Sequence, residues 1–104
     1  MKNSMVIAAV VGVCLMPNLV RADMSRDLCN SQLPIVAQAI RLRQNGVPIA
    51  TAEGMADSAF RIDKNLFGFL ISAIRYAYEN PEGASKSLNN GRMLEICMKN
   101  VRGY

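Results

Sequence analysis

The sequence DKNLFGFLISAIRYAYEN, residues 63–80, decides the fold. Its apolar residues recur every three or four positions, which predicts a helix. The main stripe consists of Leu66, Leu70, Ala73, Ile74 and Ala77, widened by Phe67, Ile71 and Tyr78. A helix that is apolar over so much of its surface is expected at the centre of a helical domain. Asp63 is placed to cap its start, and Asn80-Pro81 should end it.

Two helices are predicted before this central one. The first covers about residues 25–44, with Ser25 as its cap and Asn45-Gly46 as its stop. Pro34 should kink this helix or split off its first turn, because proline lacks the N–H and clashes with the preceding turn. The second helix begins at Val47-Pro48 and should bury Ile49, Ala52, Ala56, Ala59 and Phe60.

A fourth helix is predicted over about residues 84–102, with Ser85 as a candidate cap. Asn89-Asn90-Gly91 either divides it or leaves Gly91 helical, and the sequence alone leaves both interpretations open. The predicted fold is therefore all-α, a small bundle of four helices, or five if Pro34 or Gly91 splits one. The short connections favour packing of successive helices as antiparallel neighbours.

The first 22 residues differ from the rest and predict a cleavable secretion signal. Lys2 precedes an uncharged apolar run, Met5 to Leu15, and Val20-Arg21-Ala22 places small or modest residues at the two positions that a signal peptidase reads. The run is too short to span a membrane, which takes about 20 apolar residues. We therefore expect residues 1–22 to be removed and residues 23–104 to form one domain without a membrane span.

Cleavage at this point changes both the charge and the cysteine count. The full chain has 12 basic and 8 acidic residues, and removing Lys2 and Arg21 leaves 10 against 8, a net charge of +2. The remaining basic residues are scattered, which argues against nucleic acid as a partner. Cys14 leaves with the signal, so Cys29 and Cys97 remain. An even pair in an oxidising compartment predicts one disulfide joining the first and last helices.

This plan, with a signal, a few helices and one cysteine near each end, resembles that of small secreted proteins of Gram-negative bacteria. The periplasmic acid-stress chaperones share it. The resemblance covers the overall organisation of residues 23–104, and the two cysteines are the residues on which it rests. It implies a periplasmic or secreted protein and makes a chaperone one expected activity, although the even mix of charges here provides no evident acid trigger.

The residue types argue against an enzyme and against a bound metal or cofactor. The chain has no histidine, which removes the usual general base and the commonest metal ligand. No Cys-x-x-Cys spacing and no Gly-x-Ser-x-Gly sequence is present. Glu53 and Asp57 share a helix face, as paired carboxylates would, but a solvated face is the simpler interpretation.

Six residues are candidates for binding a partner. Phe69 and Tyr76 lie two helical turns apart and could form an exposed aromatic–arginine patch with Arg61 and Arg75, although both rings could instead pack in the core. Phe60, Phe67 and Tyr78 are expected in the core. Arg41 and Arg43 form a basic corner beside Gly46, which suits an anionic partner or simply a helix C-terminus.

The function predicted from these features is that of a small exported protein that binds another protein, as an inhibitor, an immunity-type binder or a chaperone. A structural component of a cell-envelope assembly is the alternative. A stable homo-oligomer in light scattering would favour that alternative. The identity of the partner and the oligomeric state do not follow from the sequence.

Overall fold

The computed structural model describes residues 17–101, with the backbone alone for residues 17–23. Its regular elements in this range are the helices α1 (Pro17–Gln44), α2 (Ile49–Gly54), α3 (Asp57–Ile62), α4 (Lys64–Glu79), α5 (Pro81–Asn89) and α6 (Arg92–Val101). The predicted all-α fold is confirmed. Two of the four predicted helices are divided, into α2 with α3 and α5 with α6.

Helix α4 is the centre of the fold, as its apolar pattern predicted. It contacts every other helix in the described range. The side chains that it buries are Leu66, Phe69, Leu70, Ala73, Ile74 and Ala77. Asp63 caps its start, because its Oδ1 accepts a hydrogen bond of 2.9 Å from the amide of Leu66. One continuous apolar stripe therefore organises the core.

Helix α1 runs through Pro34 without a break, so of the two alternatives for Pro34 the split is not observed. Proline leaves the carbonyl of Asn30 without its helical donor, but Asn30 and Pro34 are both exposed, so water can serve that carbonyl. Ser25 is buried inside this helix and does not cap it. The predicted stop is confirmed: Gly46 has φ +77°, and Val47 N–H donates to the carbonyl of Leu42 at 2.9 Å.

The second predicted helix is interrupted at Met55 and Ala56, where backbone amides bond three residues back instead of four. Gly54, a weak helix former, precedes the break. The predicted burial of Ala52, Ala56 and Ala59 is confirmed, but Phe60 is 51% exposed and that part of the prediction is wrong. Beyond the break α3 packs chiefly on α4, which leaves Phe60 at the edge.

The fourth predicted helix begins earlier than expected and is divided. Asn80 caps α5 through a 2.9 Å bond from the amide of Gly83 to its Oδ1, with Pro81 in the first turn, so Ser85 is not the cap. Gly91 adopts φ +82°, a conformation that suits glycine, and α6 starts directly after it. Of the two interpretations that the sequence left open, the division at Gly91 is the observed one.

The disulfide between Cys29 and Cys97 fastens α6 to α1 and confirms the predicted pairing. Both cysteines are fully buried in the core. Seven alanines are buried with them, which allows the helix backbones to approach closely: Ala39, Ala52, Ala56, Ala59, Ala73, Ala77 and Ala84. The disulfide therefore lies within the packed core rather than on the surface.

None of the helices in residues 17–101 combines the length and apolar composition needed to cross a membrane. Most of the predicted signal, residues 1–16 with Cys14, lies outside the described residues. The predicted cleavage site after Ala22 falls within α1, so cleavage would leave this helix to start near Asp23.

Removing the disulfide should destabilise the fold strongly. The bond joins residues 68 positions apart, and the chain-entropy model gives roughly 4 kcal/mol for a loop of this length. We expect the double substitution Cys29→Ala and Cys97→Ala to lower the free energy of unfolding in urea by about that amount. A loss below about 1 kcal/mol would contradict a structural role for the bond.

Candidate protein-binding groove

The predicted aromatic–arginine patch is not assembled as such. Tyr76 is 40% exposed, but Phe69 is only 6% exposed and packs in the core. Arg75 points to α2, where its Nε donates to Glu53 Oε2 at 2.9 Å, and Arg61 lies on α3. Glu53, which was expected on a solvated helix face, thus forms an ion pair that joins two helices.

The predicted basic corner makes a structural contact. Arg43 Nε donates to the carbonyl of Tyr78 at 3.1 Å, so it satisfies a carbonyl in the last turn of α4. The hydroxyl of Tyr78 in turn donates to the carbonyl of Val47 at 2.7 Å. These bonds join the end of α4 to the turn after α1. Arg41 is exposed on the same last turn of α1.

An apolar groove lies where α4, α5 and α6 meet, with a volume of about 180 Å³. Its floor is buried and consists of Phe69, Ala73 and Met93. Its two walls are Tyr76 on α4 and Ile96 on α6, which are 40% and 41% exposed. The hydroxyl-bearing residues Ser72 and Ser87 complete the lining. The groove therefore presents concave apolar surface with two large side chains open to solvent.

The hydroxyl of Tyr76 lies against Gly83 in the first turn of α5. A Cβ at Gly83 would overlap the hydroxyl of Tyr76 and would lie 2.6 Å from Nδ2 of Asn80, the residue that caps this helix. With a larger residue at position 83, these two side chains would have to shift. The tyrosine is thus packed against α5, which limits the positions that its ring can occupy.

Of the residues that line the groove, Tyr76 and Phe69 were among the predicted binding residues and the others were not. Ile96 was not among the predicted binding residues, and an isoleucine on an otherwise polar face of the last helix was the available signal. Met93 was also missed, because its burial depends on how α6 docks on α4. Phe69 was assigned to the same surface but contributes the floor instead of an exposed edge.

A second exposed apolar surface, here called the aromatic corner, consists of Phe60, Ile62 and Phe67. The two rings pack edge to face at 5.2 Å between centroids, and Lys64 Nζ lies 5.9 Å from the centre of the Phe60 ring. These contacts cover part of the apolar area. Phe60, at 51% exposure, and Ile62, at 55%, still remain open to solvent.

A larger cleft of about 420 Å³ separates α1 from α5. Apart from Ile40 and Pro81, its lining is polar or charged: Gln44, Glu82, Ser85, Lys86 and Asn89. All five of these residues are exposed. The cleft thus has the features of a solvated channel between two helix surfaces, and the groove at Tyr76 is the better candidate site.

Within residues 17–101, no three histidine, cysteine, aspartate or glutamate residues are grouped so that they could hold a metal ion. Compared with models of known protein families, with curated proteins and with solved structures, the chain matches none.

Two glycine substitutions test the fixed wall of the groove. Gly83→Ala should displace Tyr76 and weaken the Asn80 cap, lowering the free energy of unfolding by about 1 kcal/mol. Gly68→Ala is the matched control on α4, since a Cβ added there would meet nothing within 4 Å. It should raise that free energy by about 0.5–1 kcal/mol.

Urea denaturation gives both free energies, and the NMR signals of the Tyr76 ring report its displacement. The two substitutions should change the free energy of unfolding in opposite directions, and only Gly83→Ala should shift the ring signals. A stabilising Gly83→Ala with unchanged ring signals would show that Gly83 does not hold the tyrosine.

Proposed function

We propose that the chain is exported, loses residues 1–22, and acts in the periplasm or outside the cell as a non-enzymatic protein that binds another protein. The observation that carries the proposal is the groove between Tyr76 and Ile96. Large apolar side chains that line a concave surface, and remain exposed in the folded chain, are typical of binding sites.

The size of the groove favours a protein partner over a small molecule. Pockets for drug-sized ligands and cofactors usually measure about 300–1,000 Å³, whereas this groove measures about 180 Å³. That volume suits one large side chain of a partner. The absence of histidine from the sequence supports a role without catalysis.

The groove is open in the folded protein, and this favours a dedicated binder over a stress chaperone. A chaperone of the acid-stress type is expected to expose its apolar surface only when stress loosens the fold. Here Tyr76 and Ile96 are exposed while the helices are packed and the disulfide is formed. An inhibitor or immunity-type protein needs such a preformed surface, because a rigid site loses less entropy on binding.

The export part of the proposal rests on different observations. The first 22 residues have the pattern of a secretion signal, and Cys29 and Cys97 form a disulfide. Disulfides persist in oxidising compartments and are rare in the cytosol. A structural bond of this kind fits a protein that works outside the cytoplasm.

Site-specific cross-linking tests the groove as the binding site. We expect benzoylphenylalanine in place of Ile96 to form a light-dependent cross-link to a discrete envelope protein in living cells. The matched control places the same group at Ile62, which is at least as exposed but belongs to the aromatic corner. Cross-links from position 62 but not from position 96, or none from either, would contradict the proposed site.

A further inference from the structure

We infer that the groove receives an acidic amphipathic helix of the partner, which places a large apolar side chain between Tyr76 and Ile96 and carboxylates along α6. This inference rests on the proposed function and specifies the chemistry of the partner. The charges on the two sides of the groove carry it.

The side of the groove formed by α6 is basic. At about 100° per residue, Arg92 and Lys99 lie only about 40° and 60° around the helix from Ile96, on the side away from Met93. Glu95 lies further round, at about 100° from Ile96. Moving outward from the groove, a partner therefore meets Ile96 first, then the two basic side chains, and only then the carboxylate.

Both basic side chains are exposed, and neither takes part in an ion pair among the described residues, where the bridge observed is Arg75 with Glu53. They are therefore available to carboxylates of a partner. Arg92 and Lys99 are seven residues apart, about two helical turns or 10 Å along the axis. Carboxylates two turns apart on a partner helix match that spacing.

The opposite side of the groove, formed by α4, is not basic. Ser72 borders it, and the exposed Glu79 lies one helical turn beyond Tyr76. Arg75 is on the outer face of α4, but its charge is met by Glu53. The positive side chains thus lie along α6, and the α4 side carries the carboxylate of Glu79, which favours a partner that presents its carboxylates on the α6 side of the groove.

A helix is the form of partner that fits this arrangement. The groove runs between side chains of α4 and α6, and a third helix can place a row of side chains between two packed helices. One large apolar residue of that helix would enter the groove. Acidic residues on the flank of the same helix would then reach Arg92 and Lys99.

Three synthetic helical peptides test the inference. They share leucine anchors and a single tryptophan and differ only in their flanking residues, which are glutamate, glutamine or lysine. Because the protein contains no tryptophan, the fluorescence of the peptide reports binding directly. We expect the glutamate peptide to bind about tenfold or more tightly than the lysine peptide, with a difference that shrinks as salt is added.

Two variants locate the binding. Ile96→Ser should weaken all three peptides, whereas Ile62→Ser, the matched exposed control, should leave them unchanged. Arg92→Glu combined with Lys99→Glu should reverse the preference, so that the lysine peptide binds more tightly than the glutamate peptide. All the substituted residues are exposed, and circular dichroism confirms that the variants stay folded.

The possible outcomes separate the inference from the proposed function. Equal binding of the three peptides, lost in Ile96→Ser, would overturn the acidic partner but keep the groove as a binding site. No binding by any peptide would overturn the inference and count against the proposed function as well. A wild-type dimer in sedimentation that Ile96→Ser dissociates would assign the groove to a second copy of the chain and overturn the inference.

Discussion

The structure depends on the attachment of a short terminal helix to the rest of the chain. Helix α6 has ten residues, and a helix of that length is marginal in water by itself. It buries Met93, Cys97 and Met98, and its disulfide to Cys29 keeps these side chains close to the core even when packing fluctuates. Since α6 supplies one wall and part of the floor of the groove, the candidate site exists only while α6 is docked.

The disulfide and the core support each other. A domain of this size buries a limited apolar area, so a covalent link contributes a large share of its stability. Conversely, the buried position of Cys29 and Cys97 shields the bond from reductants. The stability of α6, and with it the shape of the groove, is therefore tied to the redox state of two residues far from Tyr76 in sequence.

Much of the fold could be predicted from local patterns. The apolar stripe of α4, the Asp63 cap and the Gly46 stop are encoded within a few residues each, and all three are observed. The continuity of α1 through Pro34 was not predictable locally, because it depends on the solvent exposure of Asn30 in the folded chain. The break after Gly54 was missed because the alanine spacing continues across it.

The groove was predicted only in part, for a related reason. Periodicity shows which residues share a helix face, but the neighbouring helices decide which part of that face they cover. Phe69 and Tyr76 share a face of α4, yet only Phe69 is buried. Phe60 was expected in the core on the same kind of evidence and is exposed, because α3 lies at the edge of the bundle.

The intact mass of the native protein, measured after alkylation without reductant, most directly tests whether this is a secreted protein whose last helix is fastened by a disulfide. We predict one species that starts at Asp23 and carries no alkyl group, because Cys29 and Cys97 are bonded to each other. A species that retains residues 1–22, or one with both sulfurs alkylated, would contradict this prediction.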